Sequence, residues 1–345
     1  MNYLETNNHL FMANNKKPDY YNLMLKFLLL ILFISTNLMA KPKIKSKLKN
    51  KIKPNENFAD HVHDSLSSRI LVFANTIDNF FGSDRAQIEA NKTRLRFYTD
   101  TFKGEGSDPI TEGNMKFQLV LPKTQNRLRF VVESSEDKDE QASSKGSPGA
   151  STSTNRTTGE KLRDVTTAGF RYILDVADLK TSVGTGIKFD ELSPRPFIRF
   201  RIFKDHAIEK WLFRPRQELL WVSEEGNSTD TDLNFDKELS KNWLFRIVNN
   251  MQWNDQDYIV NFQNGPSWFH KVSEKIGMSY NAHVFTASRP IYSIINYSLS
   301  IGYRQLLYKD WFFWTLSPAV NFPRVNNFHR TPSATVRFEV VLGYI

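Results

Sequence analysis

Apolar and polar residues change period once along this chain. Between Asn57 and Phe81, Val62, Leu66, Ile70, Phe73, Ile77 and Phe80 recur at steps of three and four. That is the stripe of an amphipathic helix. Asn55 or Asn57 offers a cap at its start, and Gly82 stands where it would stop, so the pattern predicts a helix over 57–82. From Lys92 onward the period is two. In "TRLRFYTD", Leu95, Phe97 and Thr99 alternate with Arg94, Arg96, Tyr98 and Asp100. In "NRLRFVVES", Leu128, Phe130 and Val132 alternate with Arg127, Arg129, Val131 and Glu133. Similar runs continue to Ile345 and predict about fourteen strands, or twelve if the weaker segments 229–238 and 257–269 are left out.

The runs are 10–15 residues long, against the five or six of an ordinary strand, and long enough to cross a membrane at a tilt. Their connections differ in length. "PKTQN", "VADLK" and "ELSKN" are tight, whereas Glu133–Lys161 is a long low-complexity excursion. Short turns at one end and longer loops at the other predict an all-β, antiparallel, up-and-down transmembrane barrel over 89–345, with a long loop at 134–161. A soluble sandwich also alternates, but with shorter strands.

Tryptophan positions agree with that geometry. Trp211 and Trp221 lie ten residues apart on one face of a strand, as do Trp243 and Trp253 on another. At about 3.3 Å per residue on a tilted strand, each pair reaches the two edges of an apolar band about 25 Å tall. A polar knot followed by a large apolar residue recurs in "IEKWLF", "LSKNWLF" and "LYKDWFFW". With "VSEKIGM" as the missing copy, Trp211, Trp243, Ile276 and Trp311 are spaced by 32, 33 and 35 residues. One period is one strand up and one down, so each copy marks a return to the same membrane edge, expected to be the periplasmic one. Trp314 is a further interfacial candidate. In its copy Phe312, Trp314, Leu316 and Val320 make the better apolar face, so either Trp311 points inward or a bulge intervenes.

Composition narrows the class. At 345 residues with 40% hydrophobic residues, the chain holds no set of apolar helical spans. It has no Cys, which excludes disulfides and thiolate metal sites. The net charge of +9 resides mostly in "KPKIKSKLKNKIK", with seven Lys over 41–53, which leaves 54–345 nearly balanced and argues against a nucleic-acid partner. The apolar run Leu25–Ser35 followed by "TNLMA" predicts a signal peptide over 1–40, with Met24 as a possible true start. Residues 41–56 then form a Lys-rich disordered tail, either solvated or in contact with an anionic membrane face or wall polymer.

The export segment, the alternating strands and the closing "TVRFEVVLGYI" resemble bacterial outer-membrane β-barrel proteins. In that family the last strand ends in an aromatic residue recognised by the barrel-assembly machinery. Here Tyr344 is next to last, before Ile345. "DNFFGSDR", followed by an Arg-rich first strand, is similar to a poorly characterised barrel family with no assigned activity. The resemblance implies outer-membrane lipid and the assembly machinery as partners, and no chemistry.

The predicted inner face is rich in arginine: Arg94, Arg96, Arg127, Arg129, Arg171, Arg199, Arg201, Arg214, Arg216, Arg246, Arg304 and Arg337. Acids on the same faces are fewer, notably Asp100, Glu133, Asp175, Glu218 and Glu339. A lattice of ion pairs filling the barrel and a basic constriction favouring anionic solutes both fit this pattern. The leading expectation is a channel or transport barrel. A non-conducting structural or interaction barrel, acting through its N-terminal segment or long loop, is the alternative, and a lipid-modifying enzyme the third. No catalytic residue, metal or cofactor is expected. Ser279 and His283 are four residues apart on one strand face, about 13 Å, too far for a hydrogen bond. The chain is therefore expected not to be an enzyme. A polar lumen offers the helix stripe little, so the helix is expected at the periplasmic mouth or on the membrane surface.

Overall fold

The computed structural model describes residues 56–82, 93–121, 124, 127–136, 164–176, 179–190 and 193–343. The export segment, the Lys-rich tail and nearly all of the 134–161 loop lie outside the described residues. Helix α1 (Glu56–Phe81) precedes fifteen strand segments. These are β1 (Arg94–Gly104), β2 (Ile110–Val120), β3 (Leu128–Glu136), β4 (Asp164–Val176) and β5 (Leu179–Asp190). Next come β6 (Ser193–Phe203), β7 (His206–Ile208), β8 (Trp211–Val222), β9 (Gly226–Ser240) and β10 (Trp243–Asn254). The last are β11 (Val260–Lys271), β12 (Ile276–Ala287), β13 (Ser293–Tyr308), β14 (Phe312–Pro323) and β15 (Thr331–Leu342).

Segment β7 continues β6 along the same neighbour, since Phe203 pairs with Arg216 of β8 and His206 with Phe213. The two make one barrel strand, and the sheet is a closed antiparallel barrel of fourteen strands. Closure is the β1–β15 pairing, which runs from Leu95↔Leu342 to Gly104↔Ser333 and leaves neither strand with an open edge. The weak segments 229–238 and 257–269 are the full strands β9 and β11, so fourteen is the count and not twelve.

The alternation sorts side chains in the reverse sense to a water-soluble protein. Phe97, Ile198, Leu299, Ile301 and Phe338 lie exposed on the outer face, while Arg129, Arg214 and Arg304 are among the most deeply buried side chains. Each strand's backbone groups are paired by its neighbours, which is what hydrocarbon surroundings require.

The repeated motif marks one rim. Trp211, Trp243 and Ile276 open β8, β10 and β12 directly after short turns. The third Trp differs because a bulge intervenes. The β13–β14 register shifts between Leu306 and Tyr308, β14 opens at Phe312, and Trp311 stays in the turn. Its ring lies 5.5 Å from Tyr308 and 5.9 Å from Phe312.

The C-terminal half of α1 lies inside this rim. Ile70, Ala74, Ile77 and Phe81 form one core with Leu212, Leu244 and Phe269, the lumen-facing residues of β8, β10 and β11 nearest the short turns. Phe81 meets Phe269 at 5.3 Å and Phe80 meets Phe313 at 6.3 Å. The helix therefore docks in the mouth and not on the membrane surface. The lumen is apolar just there, and each such side chain fully buried contributes about 1.5–3 kcal/mol. The buried stripe is also rotated from the expected one: Ala74 and Phe81 are buried, whereas Phe73 and Phe80 are only partly so. Gly82 ends the helix at φ 70°, and a Cβ there would lie 3.0 Å from Nη2 of Arg96.

Candidate functional site

Two stretches of lumen wall carry most of the inward charge. On the first, α1 brings Asp78, 4% exposed, between Arg214 and Arg246. Arg214 donates from Nη1 to Oδ2 at 2.6 Å, and Arg246 from Nη1 to Oδ1 at 3.0 Å. Arg246 also forks onto Asp236 at 2.6 and 2.8 Å. Arg214 reaches Asp205 at 3.0 Å and the Asn75 side-chain oxygen of α1 at 2.8 Å. Such short, shared, charge-assisted bonds are what a buried guanidinium requires. Arg96 extends the clasp to the closing seam. It donates to the Gly82 carbonyl at 3.2 Å and, with Arg304, holds Glu339. Beside them Arg337 forks onto Asp100 at 2.6 Å on both arms. Asn75 does not stand out in the sequence, and Asp78 does so only as the first residue of "DNFFGSDR" with no role attached, because a polar residue beside a helix stripe ordinarily faces water.

The second stretch runs over β2–β6. Cross-strand pairing sets Arg129 of β3 opposite Arg171 of β4, Arg171 opposite Gly184 of β5, and Gly184 opposite Arg199 of β6. Lys116 of β2 pairs with Glu133. Glu133 meets Arg171 and Arg199 at 3.5 Å each, and Glu218 meets Arg199 at 3.3 Å and Arg201 at 2.5 Å. Basic groups outnumber carboxylates here. Strand β5 has little side chain to offer: Gly186 lies against Gly169, where a Cβ would come 2.3 Å from the Thr185 carbonyl. Toward the far end, Glu225 holds Lys188 and Arg195 at 2.8 Å each.

Of the other expected lumen residues, Arg94 faces inward and is 9% exposed, and Arg216 holds Asp230 and Asp232 at 3.2 and 3.0 Å. Arg127 does not line the lumen. It is exposed in the turn before β3, where its backbone N–H caps Thr124, because the strand begins one residue later. Among the aromatics, Trp211 lies 6.0 Å from Phe245, and Trp243 stacks on His270 at 4.2 Å. Trp314 donates to Gln305 at 3.0 Å. Trp221 is exposed near the opposite rim, and Trp253 shares the outward face of β10 with Trp243 yet is 8% exposed. Trp268, packed 5.3 Å from Phe245, joins this belt although no repeat announces it.

One further cluster joins β11 to β12. Ser267 Oγ lies 3.1 Å from His283 Nε2, and the Gln263 amide nitrogen lies 3.1 Å from Nδ1. As placed, the amide donates to Nδ1, and Nε2 carries the proton toward the serine. Turning the amide over would make Nε2 the acceptor of the hydroxyl proton. Ser279, the serine that spacing suggested, is not the partner in this contact. Among the described residues no group of His, Asp and Glu stands close enough to hold a metal ion.

No family model matches the chain, and no curated protein does. Solved structures do resemble it. The CymD monoaromatic hydrocarbon channel aligns with a TM-score of 0.46 at 9% identity, over 75% of this chain and 90% of its own. A loop L8 deletion mutant of OmpT, an outer membrane protein of Vibrio cholerae, gives 0.42 at 9% identity, over 72% and 98%. OccK1 of Pseudomonas aeruginosa gives 0.40 at 9% identity, over 73% and 98%. The architecture of this chain is that of an outer-membrane β-barrel. The expectation that it is not an enzyme is corrected. A barrel architecture by itself leaves activity open. The Ser267–His283 contact also removes the premise that no serine reaches a histidine.

Proposed function

We propose that this protein is an outer-membrane channel whose Arg-rich lumen favours anionic solutes. The observation that carries the reading is the placement of α1. The helix leans on β8–β12 and reaches Phe313 of β14, leaving the basic stretch of β2–β6 as a separate wall of the lumen. A fourteen-strand barrel is wider than the eight-strand kind that side chains alone fill, and rings of basic side chains select anions. In this reading the chain is exported with cleavage after Ala40, inserted by the barrel-assembly machinery, and surrounded by outer-membrane lipid. Its short turns face the periplasm.

The test is single-channel recording of the purified full chain in a planar bilayer under a potassium chloride gradient. A reversal potential on the chloride side is expected, moving toward zero when Arg171, Arg199 and Arg201 are all replaced by Gln. Absence of conductance from both the full chain and the Asp78→Ala variant would overturn the channel. That outcome would favour a non-conducting barrel that presents its N-terminal segment, for which the fixed seat of α1 in the mouth is the supporting observation.

A further inference from the structure

Within the basic wall the geometry points to a discrete oxyanion site, which we propose takes a phosphate or phosphoryl group between Arg129, Arg171, Arg199 and Arg201. This deepens the channel reading and rests on it. The first observation is the pairing itself. Arg129 and Arg171 stand directly opposite one another on β3 and β4, where like charges destabilise a sheet. Arg199 and Arg201 stand on β6, the next strand but one from β4, and the carboxylates that reach this group are Glu133 and, from β8, Glu218. Glu133 meets Arg171 and Arg199 at 3.5 Å each, so one carboxylate is shared between two guanidinium groups.

A second, independent observation comes from Arg201. It is 7% exposed and gives its Nε to Glu218, and its buried Nη1 has no hydrogen-bond partner. An unmatched guanidinium N–H in such a setting is costly unless an acceptor arrives. Glycine supplies the third. Gly184 is the cross-strand neighbour of both Arg171 and Arg199 and places no side chain between them. A Cβ at Gly184 would meet only ordinary contacts, the Phe170 carbonyl at 3.5 Å and the Arg199 Cβ at 3.9 Å. The notch is therefore open to a side chain, and in its absence to an anion.

The chemistry selects the class. Guanidinium groups bind oxyanions through paired parallel N–H bonds. Guanidinium groups from β3, β4 and β6 line one face together, and a tetrahedral anion offers such a cluster more acceptors. A carboxylate offers two oxygens in one plane. The same site serves free phosphate and the phosphoryl group of a larger solute.

The experiment records chloride conductance of the full chain while inorganic phosphate, a sugar phosphate or acetate is titrated in. The expected result is a saturable fall in chloride current with either phosphate compound, at concentrations where acetate leaves the current unchanged. Two variants, each first checked for folded, heat-modifiable migration, locate the site. Arg171→Gln should weaken the apparent phosphate affinity about tenfold or more. Gly184→Leu keeps all four guanidinium groups and fills the notch, and should abolish saturation. Phosphate and acetate acting alike, or Gly184→Leu saturating as the parent does, would overturn the site. Chloride preference without phosphate saturation defeats the site and spares the channel. No chloride preference in the parent defeats the channel reading itself. Response to inorganic phosphate but not to the sugar phosphate identifies the free ion as the ligand, and equal response identifies the phosphoryl group.

Discussion

On the helix-bearing wall, Arg214 and Arg246 meet Asp78 and Asp236 at 2.6–3.3 Å, whereas on β3–β6 Arg171 and Arg199 share Glu133 at 3.5 Å. Both sets are arginines on inward faces of the same sheet, and their surroundings make them different devices. Around Asp78 the charges balance, the bonds are short, and an apolar core of Ile70, Ala74, Ile77 and Phe81 lies beside them. That arrangement secures α1. On β3–β6, guanidinium groups crowd a bare glycine strand with too few carboxylates. There Glu133 and Glu218 are shared among Arg171, Arg199 and Arg201. Residue type alone separates neither role. Partner count and distance do.

The contrast is most exposed to Asp78→Ala, which leaves two buried guanidinium groups short of a shared carboxylate. Removing one partner of such a buried pair costs about 3–5 kcal/mol. Protease cleavage within 56–82 should become rapid while the barrel stays intact, and continued protection of the helix would show that the clasp is not what holds it. Ile77→Ala tests the apolar half of the same seat. A cavity at this fully buried position should weaken docking by about 2–4 kcal/mol, read as the urea midpoint at which α1 becomes cleavable. Glu133→Gln probes the opposite wall and should cost about 1–3 kcal/mol, less than Asp78→Ala, because its contacts to Arg171 and Arg199 are longer although few of these groups reach water. The reversal potential should move further to the chloride side. A stability loss as large as that of Asp78→Ala would erase the distinction between the walls. The smallest effect is expected from salt. Raising ionic strength from about 0.1 to 1 M shortens the screening length from about 10 to about 3 Å. Chloride preference should shrink, while protection of α1, which rests on buried pairs, should stay. Joint loss would place both sets of arginines in equally wet surroundings.

Much of the architecture was legible because a barrel writes its geometry locally. Period-two alternation needs only neighbouring residues, and β9 and β11, the weakest segments in the pattern, still alternate well enough to pair with β10 over most of their length. The rim repeat was legible for the same reason, since one strand up and one down has a nearly constant length. Its third copy was ambiguous because a bulge at Leu307 moves every later residue to the other face, and a bulge depends on the partner strand. Arg127 was misplaced by a single residue of strand boundary. Ser267 and His283 sit on adjacent strands, and their contact follows from β11–β12 register, which no spacing along either strand reveals.

By itself the sequence determined the class of fold, the strand number, the outward apolar face and the inward wealth of arginine, because each follows from side-chain alternation against a membrane. Tertiary structure alone decided which partners those arginines meet. Closing the sheet set Arg129 beside Arg171 and left Gly184 between Arg171 and Arg199. Seating α1 in the mouth carried Asp78 to Arg214 and Arg246, across 136 and 168 residues of chain. Charge is a property of a residue, but its availability depends on which partners the closed barrel brings within a few ångströms.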